Sequence, residues 1–360
     1  MSSISCGLVG PPNVGKSTLF NALTKSTVLI ANYPFATIDP NIGIALVPDP
    51  RLKQLAKLFH TSKIIPATIS FVDIAGLVKG ASQGEGLGNQ FLSHIRNVAV
   101  IVEVVRTFAD SKVAHVNQTI DPKRDIDIIA TELALADIET LNRHLGQVEK
   151  EAKADPKLRP LLELIQKAYS LLENGQQLHA QLNPEELKQL SDLHLLSTKP
   201  VIYVFNVDEH NLVDREHQQS LAAMVEPSPA LFISAKLEIE LSTLEDYDAK
   251  ELRESYGLHR SGLESLVIAA YKTLGLQSFL TAGEKEVRAW TIRSDCTAQE
   301  AAGEIHSDIQ RGFIAADIVN FSDLITFGSW AACRSAGKVR TEGKNYRMQD
   351  GDVVEFRFNV

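Results

Sequence analysis

The clearest chemistry in this 360-residue chain lies in one uninterrupted run, Gly10-Pro-Pro-Asn-Val-Gly15-Lys16-Ser17, which fits G-x-x-x-x-G-K-[ST]. Glycines let backbone N–H groups curl around phosphate oxygens, and a helix starting behind them adds the positive end of its dipole. In such a loop Lys16 reaches the β and γ phosphates, and the Ser17 hydroxyl ligates Mg²⁺. Asn13, Val14, Gly15, Lys16, Ser17 and Thr18 are therefore the expected phosphate-binding residues. Asp73-Ile-Ala-Gly76 supplies a carboxylate for the Mg²⁺ shell and a Gly76 N–H able to sense a γ-phosphate. Alone, D-x-x-G is more often a strand-end turn; behind a phosphate loop it becomes specific. Thr37, in the polar connection before Asp73, stands where a switch threonine would donate to the metal. Ser17, Thr37 and Asp73 are thus the expected metal ligands, with Lys16 and Gly76 in the catalytic set.

These residues need elements to hold them. Residues 4–10 read as a short buried strand, and Ser17–Lys25 as a helix with Leu19, Phe20 and Leu23 on one side. Further apolar runs at Thr68–Val72, Val98–Val105, Pro200–Phe205 and Ala230–Ile233 end at or near polar residues, among them Asp73, Asn206 and Ser234. Apolar strands with polar C-terminal ends, separated by helical stretches, predict an α/β domain with a parallel-rich sheet between helices. The glycines at 80, 84, 86 and 88 suit a segment that nucleotide must order.

Residues 125–198 interrupt the alternation. Ile138, Leu141, Leu145 and Val148 form one seam, and Leu161, Ile165, Ala168 and Leu172 another, joined by the charged turn Lys150–Pro156. That spacing predicts an antiparallel helical hairpin inserted into the first domain. Asn183 before Pro184 and Glu186 is a helix N-cap signal. From about 278 the pattern changes to a small α+β domain. It has a strand at Val287–Ile292, a Thr297/Glu300 capping box opening a helix near 298–310, and a closing strand around Val354–Phe358. The expected domains are 1–124 with 199–277, the insertion 125–198, and the tail 278–360.

Composition bounds the partners. The 36 basic and 45 acidic residues leave a formal charge of −9, which excludes a simple polycationic nucleic-acid coat but not a local basic patch. No sequence-specific DNA contact is expected. Cys6, Cys296 and Cys333 form neither a disulfide framework nor a metal-ligand spacing. No apolar run approaches the roughly 20 residues a bilayer requires. No signal peptide is read at the N-terminus, so a cytoplasmic location without membrane contact is expected.

The phosphate loop, Thr37, the DIAGLVKGAS run at 73–82, the GEGLGNQFL run at 84–92 and Asn206-Val-Asp-Glu209 together resemble the YchF family. This is the Obg-like ATPase branch of the translation-factor-related P-loop GTPases, and the likeness runs end to end. It implies a P-loop G domain, the helical insertion, a C-terminal TGS domain of β-grasp type, ATP as substrate and Mg²⁺ as cofactor. Guanine-specific relatives carry [NT]-K-x-D where this chain has Asn206-Val207-Asp208-Glu209. The carboxylate sits on a longer stem and valine replaces the lysine that covers the base, which displaces the guanine clamp. Relaxing a site built for one base edge forfeits its discrimination. Asn206, Val207 and Glu209, with Ser234 and Ala235 of a final base-contacting loop, complete the expected nucleotide site. The opposite reading keeps guanine preference by slipping Asp208 into the aspartate role.

Leu77 follows Gly76 where Ras-like GTPases have the glutamine that orients water, and leucine cannot do so. Turnover is then slow unless another group helps. The resemblance points to His115, which residue pattern alone reads equally as a packed or surface histidine. Potassium is a candidate substitute for an arginine finger, and no sequence feature decides it. Arg334, Lys338, Arg340, Lys344 and Arg347, around a Gly337–Gly343 stretch read as a hairpin, either follow an RNA backbone or guard a solvated sheet edge. Two functions of different class follow. One is a slow, nucleotide-switched ATPase associated with ribosomes or ribosomal RNA; the other is a nucleotide-bound scaffold that signals stress through protein partners. A small-molecule kinase fits poorly, because no acceptor site is legible.

Overall fold

The computed structural model describes residues 5–28, 41–74, 87–108 and 120–359. The strands among them are β1 Ser5–Val9, β2 Ile42–Leu46, β3 Ile64–Ile65, β4 Thr68–Asp73, β5 Val100–Arg106 and β6 Val201–Asn206. They continue with β7 Ala230–Ile233, β8 Leu276–Ala282, β9 Val287–Arg293, β10 Phe313–Asn320, β11 Arg340–Glu342 and β12 Asp352–Phe358. The chain divides into two compact units, Met1–Ala45 with Ser70–Leu266, and Leu46–Ile69 with Val267–Val360.

The first unit is built on a sheet of order β2-β4-β1-β5-β6-β7. The five strands expected from the sequence all pair in parallel. Every residue of β1, β5 and β6 is buried, which is why these strands read as near-continuous apolar runs. The sixth, β2, escaped the sequence reading because its Gly43-containing run alternates between exposed and buried positions. Val47 N–H donates to Ala67 O and Asp73 N–H to Asn41 O, an opposed register that makes the β2–β4 pairing antiparallel.

The helix Pro122–Ala154, N-capped by Asp121, serves two cores. Ile126, Ile129, Leu133 and Ala136 pack with β5 and β6 residues such as Val105 and Phe205. Farther along, Leu141 and Val148 meet Leu164, Ile165, Ala168 and Leu172 of the helix Arg159–Glu173. This is the antiparallel hairpin that the two seams demanded. Asp137 locks the hairpin to the chain entering β6. Its carboxylate accepts from Leu196 N–H at 2.8 Å, Ser197 N–H at 2.7 Å and the Ser197 hydroxyl at 2.5 Å.

The second unit carries a mixed sheet of order β11-β10-β12-β8-β9-β3. β8 and β9 form an antiparallel hairpin, and β12 lies parallel to β8 and antiparallel to β10. The helix Ala298–Ile305 packs over it through Ala298 and Ala301 against Phe279, Ile292 and Ile318, a β-grasp layout. Its expected Thr297/Glu300 capping box is present. The expected helix over 298–310 is corrected: His306 adopts an extended backbone and its ring accepts from Asp308 N–H, opening a separate helix Ser307–Arg311.

Residues 46–69 belong to this unit, which sequence reasoning did not anticipate. Asp49 caps the helix Pro50–Leu58 and β3 adds in parallel to β9. Arg51 forks between Asp49 and Asp350, each at 2.8 Å. The expected basic hairpin is also corrected. β11 pairs with β10 rather than within 337–343 and forms the edge of the sheet, the second of the two readings, and Arg334, Lys338, Arg340 and Arg347 are engaged by carboxylates or carbonyls of their own unit. Arg334 meets Glu355 at 3.0 Å, Lys338 meets Asp323 at 3.5 Å, Arg340 meets Asp352 at 3.6 Å, and Arg347 donates to Asp295 O.

Candidate nucleotide and magnesium site

The phosphate loop follows β1, whose burial in mid-sheet fixes where the loop emerges. Asn13 has φ 64° and Gly15 φ 94°, so the chain passes twice through the left-handed region before the helix Lys16–Val28. At Gly15 a side chain is sterically excluded as well, because a Cβ there would lie 2.2 Å from Asn206 Nδ2. Leu19 N–H donates to Gly15 O at 2.9 Å, closing the first helical turn directly behind the loop. Val14 is buried, whereas Ser17 is exposed and Lys16 and Thr18 are half-buried, so the phosphate-facing chemistry is not consumed by the core.

Asp73, at the end of β4, is brought to that helix start. Its backbone is fixed by its own N–H to Asn41 O at 2.9 Å and by Ile74 N–H to Leu8 O at 3.1 Å. Lys16 Nζ donates to Asp73 Oδ1, and the Ser17 hydroxyl lies 3.3 Å from Oδ2. One hydroxyl and one carboxylate, both hard oxygen donors, converge here. Mg²⁺ is usually held by few protein oxygens, with water and substrate phosphates filling the remaining positions, so this pair fits the ion. Among the described residues no group of three or more His, Cys, Asp or Glu assembles into a metal cluster.

The residues expected at the base lie at the ends of β6 and β7. Asn206 is 4% exposed, and its amide donates to Val14 O at 2.8 Å and accepts from Ala235 N–H at 3.0 Å. It thereby braces the phosphate loop against the loop after β7. Val207 is buried, with its N–H on Ile233 O at 2.9 Å, and Thr107 donates its hydroxyl to Asn206 O at 2.8 Å. The Ser234 hydroxyl accepts from Leu237 N–H at 3.4 Å and caps the helix Ala235–Leu241. Glu209 Oε1 is ion-paired with Lys236 Nζ at 2.9 Å. Lys236 and the residue's own N–H hold the Glu209 carboxyl below its usual range, while Glu209 raises the Lys236 ammonium.

The described residues therefore bring together Asn13–Thr18 and Asp73, and they bring Asn206–Glu209 against Ser234–Lys236. Thr37, Gly76, Leu77 and His115 lie outside them. Two roles were missed from sequence: the brace made by Asn206, and Lys236 as the partner of Glu209. The S-A-K run after β7 was the available signal for the second, but the pairing needs the fold.

Comparisons with known proteins agree along the whole chain. A 50S ribosome-binding GTPase family model matches residues 5–167. A YchF-GTPase_C family model, described as a protein of unknown function, matches residues 276–359. The ribosome-binding ATPase YchF of Bacillus subtilis (strain 168) is 46% identical over 365 residues, spanning 99% of this chain and 100% of that protein. The Escherichia coli O157:H7 protein of the same name is 46% identical over 359 residues, 99% of each chain. A solved structure of the Schizosaccharomyces pombe YchF GTPase superposes with a TM-score of 0.88 at 36% identity, covering 99% of this chain and 98% of that one. Sharing that identity over its full length, with the phosphate loop and base-side residues in one folded unit, the chain belongs to the YchF family.

Proposed function

We propose that this protein is a Mg²⁺-dependent P-loop ATPase, preferring ATP to GTP, whose slow hydrolysis serves as a regulatory switch on the ribosome. The observation that carries the reading is the convergence of Lys16, Ser17 and Asp73 at the phosphate loop. The bacterial relatives are named ribosome-binding ATPases, which supports the substrate and the partner.

Lys16 orients the β and γ phosphates and offsets their charge, while backbone N–H groups of 13–18 hold the phosphate chain at the helix start. Ser17 and Asp73 would hold Mg²⁺, which when bound neutralises charge developing on the phosphate oxygens. With nucleotide and metal bound, Asp73 would serve the Mg²⁺ shell and Lys16, its partner here, would serve the phosphates. Gly76 and Thr37 are assigned to γ-phosphate sensing, and His115 to positioning the attacking water that Leu77 cannot orient. With no glutamine at 77, intrinsic turnover is slow, and the ribosome or potassium supplies the missing stabilisation. A ribosome-bound protein works in the cytoplasm, and no helix among the described residues is long and apolar enough to cross a membrane.

Multiple-turnover hydrolysis of ATP and GTP, with and without ribosomes and with Mg²⁺ chelated, tests the reading. Expected are ATP turnover above GTP turnover, stimulation by ribosomes and loss on chelation. Clearly preferred GTP, the substrate class in the fission-yeast relative's name, would overturn the base assignment.

A further inference from the structure

We infer that Lys236 is a specificity-positioning residue: by pairing with Glu209 it withdraws the Glu209 carboxylate from the purine edge. The inference rests on the ATP-preferring reading and names the residue that enforces it. Guanine presents N1–H and a 2-amino group, and recognising both requires a carboxylate with free acceptor lone pairs. Here Glu209 Oε1 accepts from Lys236 Nζ at 2.9 Å. Both partners sit on anchored turns. Glu209 opens the turn that follows β6, and Lys236 lies on the first turn of the helix capped by Ser234. That turn is anchored independently, since Ala235 N–H donates to buried Asn206. Adenine, with an acceptor at N1 and no 2-amino group, loses nothing when this carboxylate is neutralised.

Lys236 is largely exposed, so solvent screens the pair and the effect is modest. For Lys236→Ala, the ATP-to-GTP affinity ratio is expected to fall about fivefold, the upper range for a screened ion pair. The gain for GTP should exceed that for ITP, which lacks the 2-amino group. Lys236→Arg should restore the wild-type ratio, and Lys236→Ala combined with Glu209→Gln should abolish the gain. The measurement is calorimetric titration of the full chain with Mg²⁺ and non-hydrolysable ATP, GTP and ITP analogues. An unchanged ratio in Lys236→Ala, or an equal change that survives Glu209→Gln, overturns the inference. Tighter GTP than ATP binding in the wild type overturns the ATP reading instead, and the Lys236→Ala and Glu209→Gln cycle still reports on Lys236.

Discussion

Asn206 joins the phosphate loop to the loop after β7, so in the proposed nucleotide site its truncation measures how much of binding is preorganised. In Asn206→Ala two bonds disappear, the one to Val14 O at 2.8 Å and the one from Ala235 N–H at 3.0 Å. Each such bond contributes about 1 kcal/mol net, and leaving a buried N–H unpaired costs roughly 1–3 kcal/mol more. At 4% exposure water cannot replace the lost amide without a rearrangement. The sum is about 3–5 kcal/mol, divided between folding stability and nucleotide affinity. If half falls on binding, ATP affinity drops roughly tenfold to sixtyfold, since 1.4 kcal/mol is tenfold. The assay pairs calorimetric titration of Mg-ATP with thermal unfolding of the free and nucleotide-saturated protein, which closes a thermodynamic cycle. Asn206→Asp is the informative partner: its carboxylate keeps the acceptor for Ala235 N–H but sets a charge against the Val14 carbonyl. It should lose affinity while keeping part of the stability. Should Asn206→Ala change affinity less than threefold and leave the unfolding temperature in place, the bracing argument fails.

Two further expectations concern the scaffold of the first unit. Glu238 is 4% exposed and accepts from Gly262 N–H at 2.6 Å; burial pushes its carboxyl from 4.5 up to about 7. The folded state therefore favours the protonated acid. The stability this contributes is full below about pH 4.5 and fades as pH rises to about 7, a loss of about 3 kcal/mol. Glu238→Gln should flatten that window, raising the unfolding temperature relative to wild type at pH 8 but not at pH 4.5; destabilisation at both would refute the assignment. Asp137→Ala removes the acceptor for two backbone N–H groups and one hydroxyl, for a cost of about 3–5 kcal/mol. Hydrogen exchange should show the Leu196 and Ser197 amides losing protection, and retained protection would count against Asp137 as the lock.

The sequence by itself determined what can be read from local spacing. G-x-x-x-x-G-K-[ST] needs one loop and one helix start, and both follow from residues adjacent along the chain. β1, β5 and β6 were legible because buried central strands are near-continuously apolar, β4 and β7 because their short apolar runs end at Asp73 and Ser234, and the helical hairpin because its seams repeat at coiled-coil spacing. The capping boxes at Asn183 and Thr297 are likewise three-residue signals. Tertiary structure decided whatever depends on partners distant in sequence. The short half-exposed strand β2 acquires its identity only from β4, and residues 46–69 acquire theirs from β9 and Asp350. A run of basic residues reads as a patch until Asp317, Asp323, Asp352 and Glu355 are seen beside it. The same holds at the base site. The sequence could show that Glu209 stands where an aspartate is usual, but charge pairing falls off over a few ångströms, and only the fold sets Lys236 within 2.9 Å.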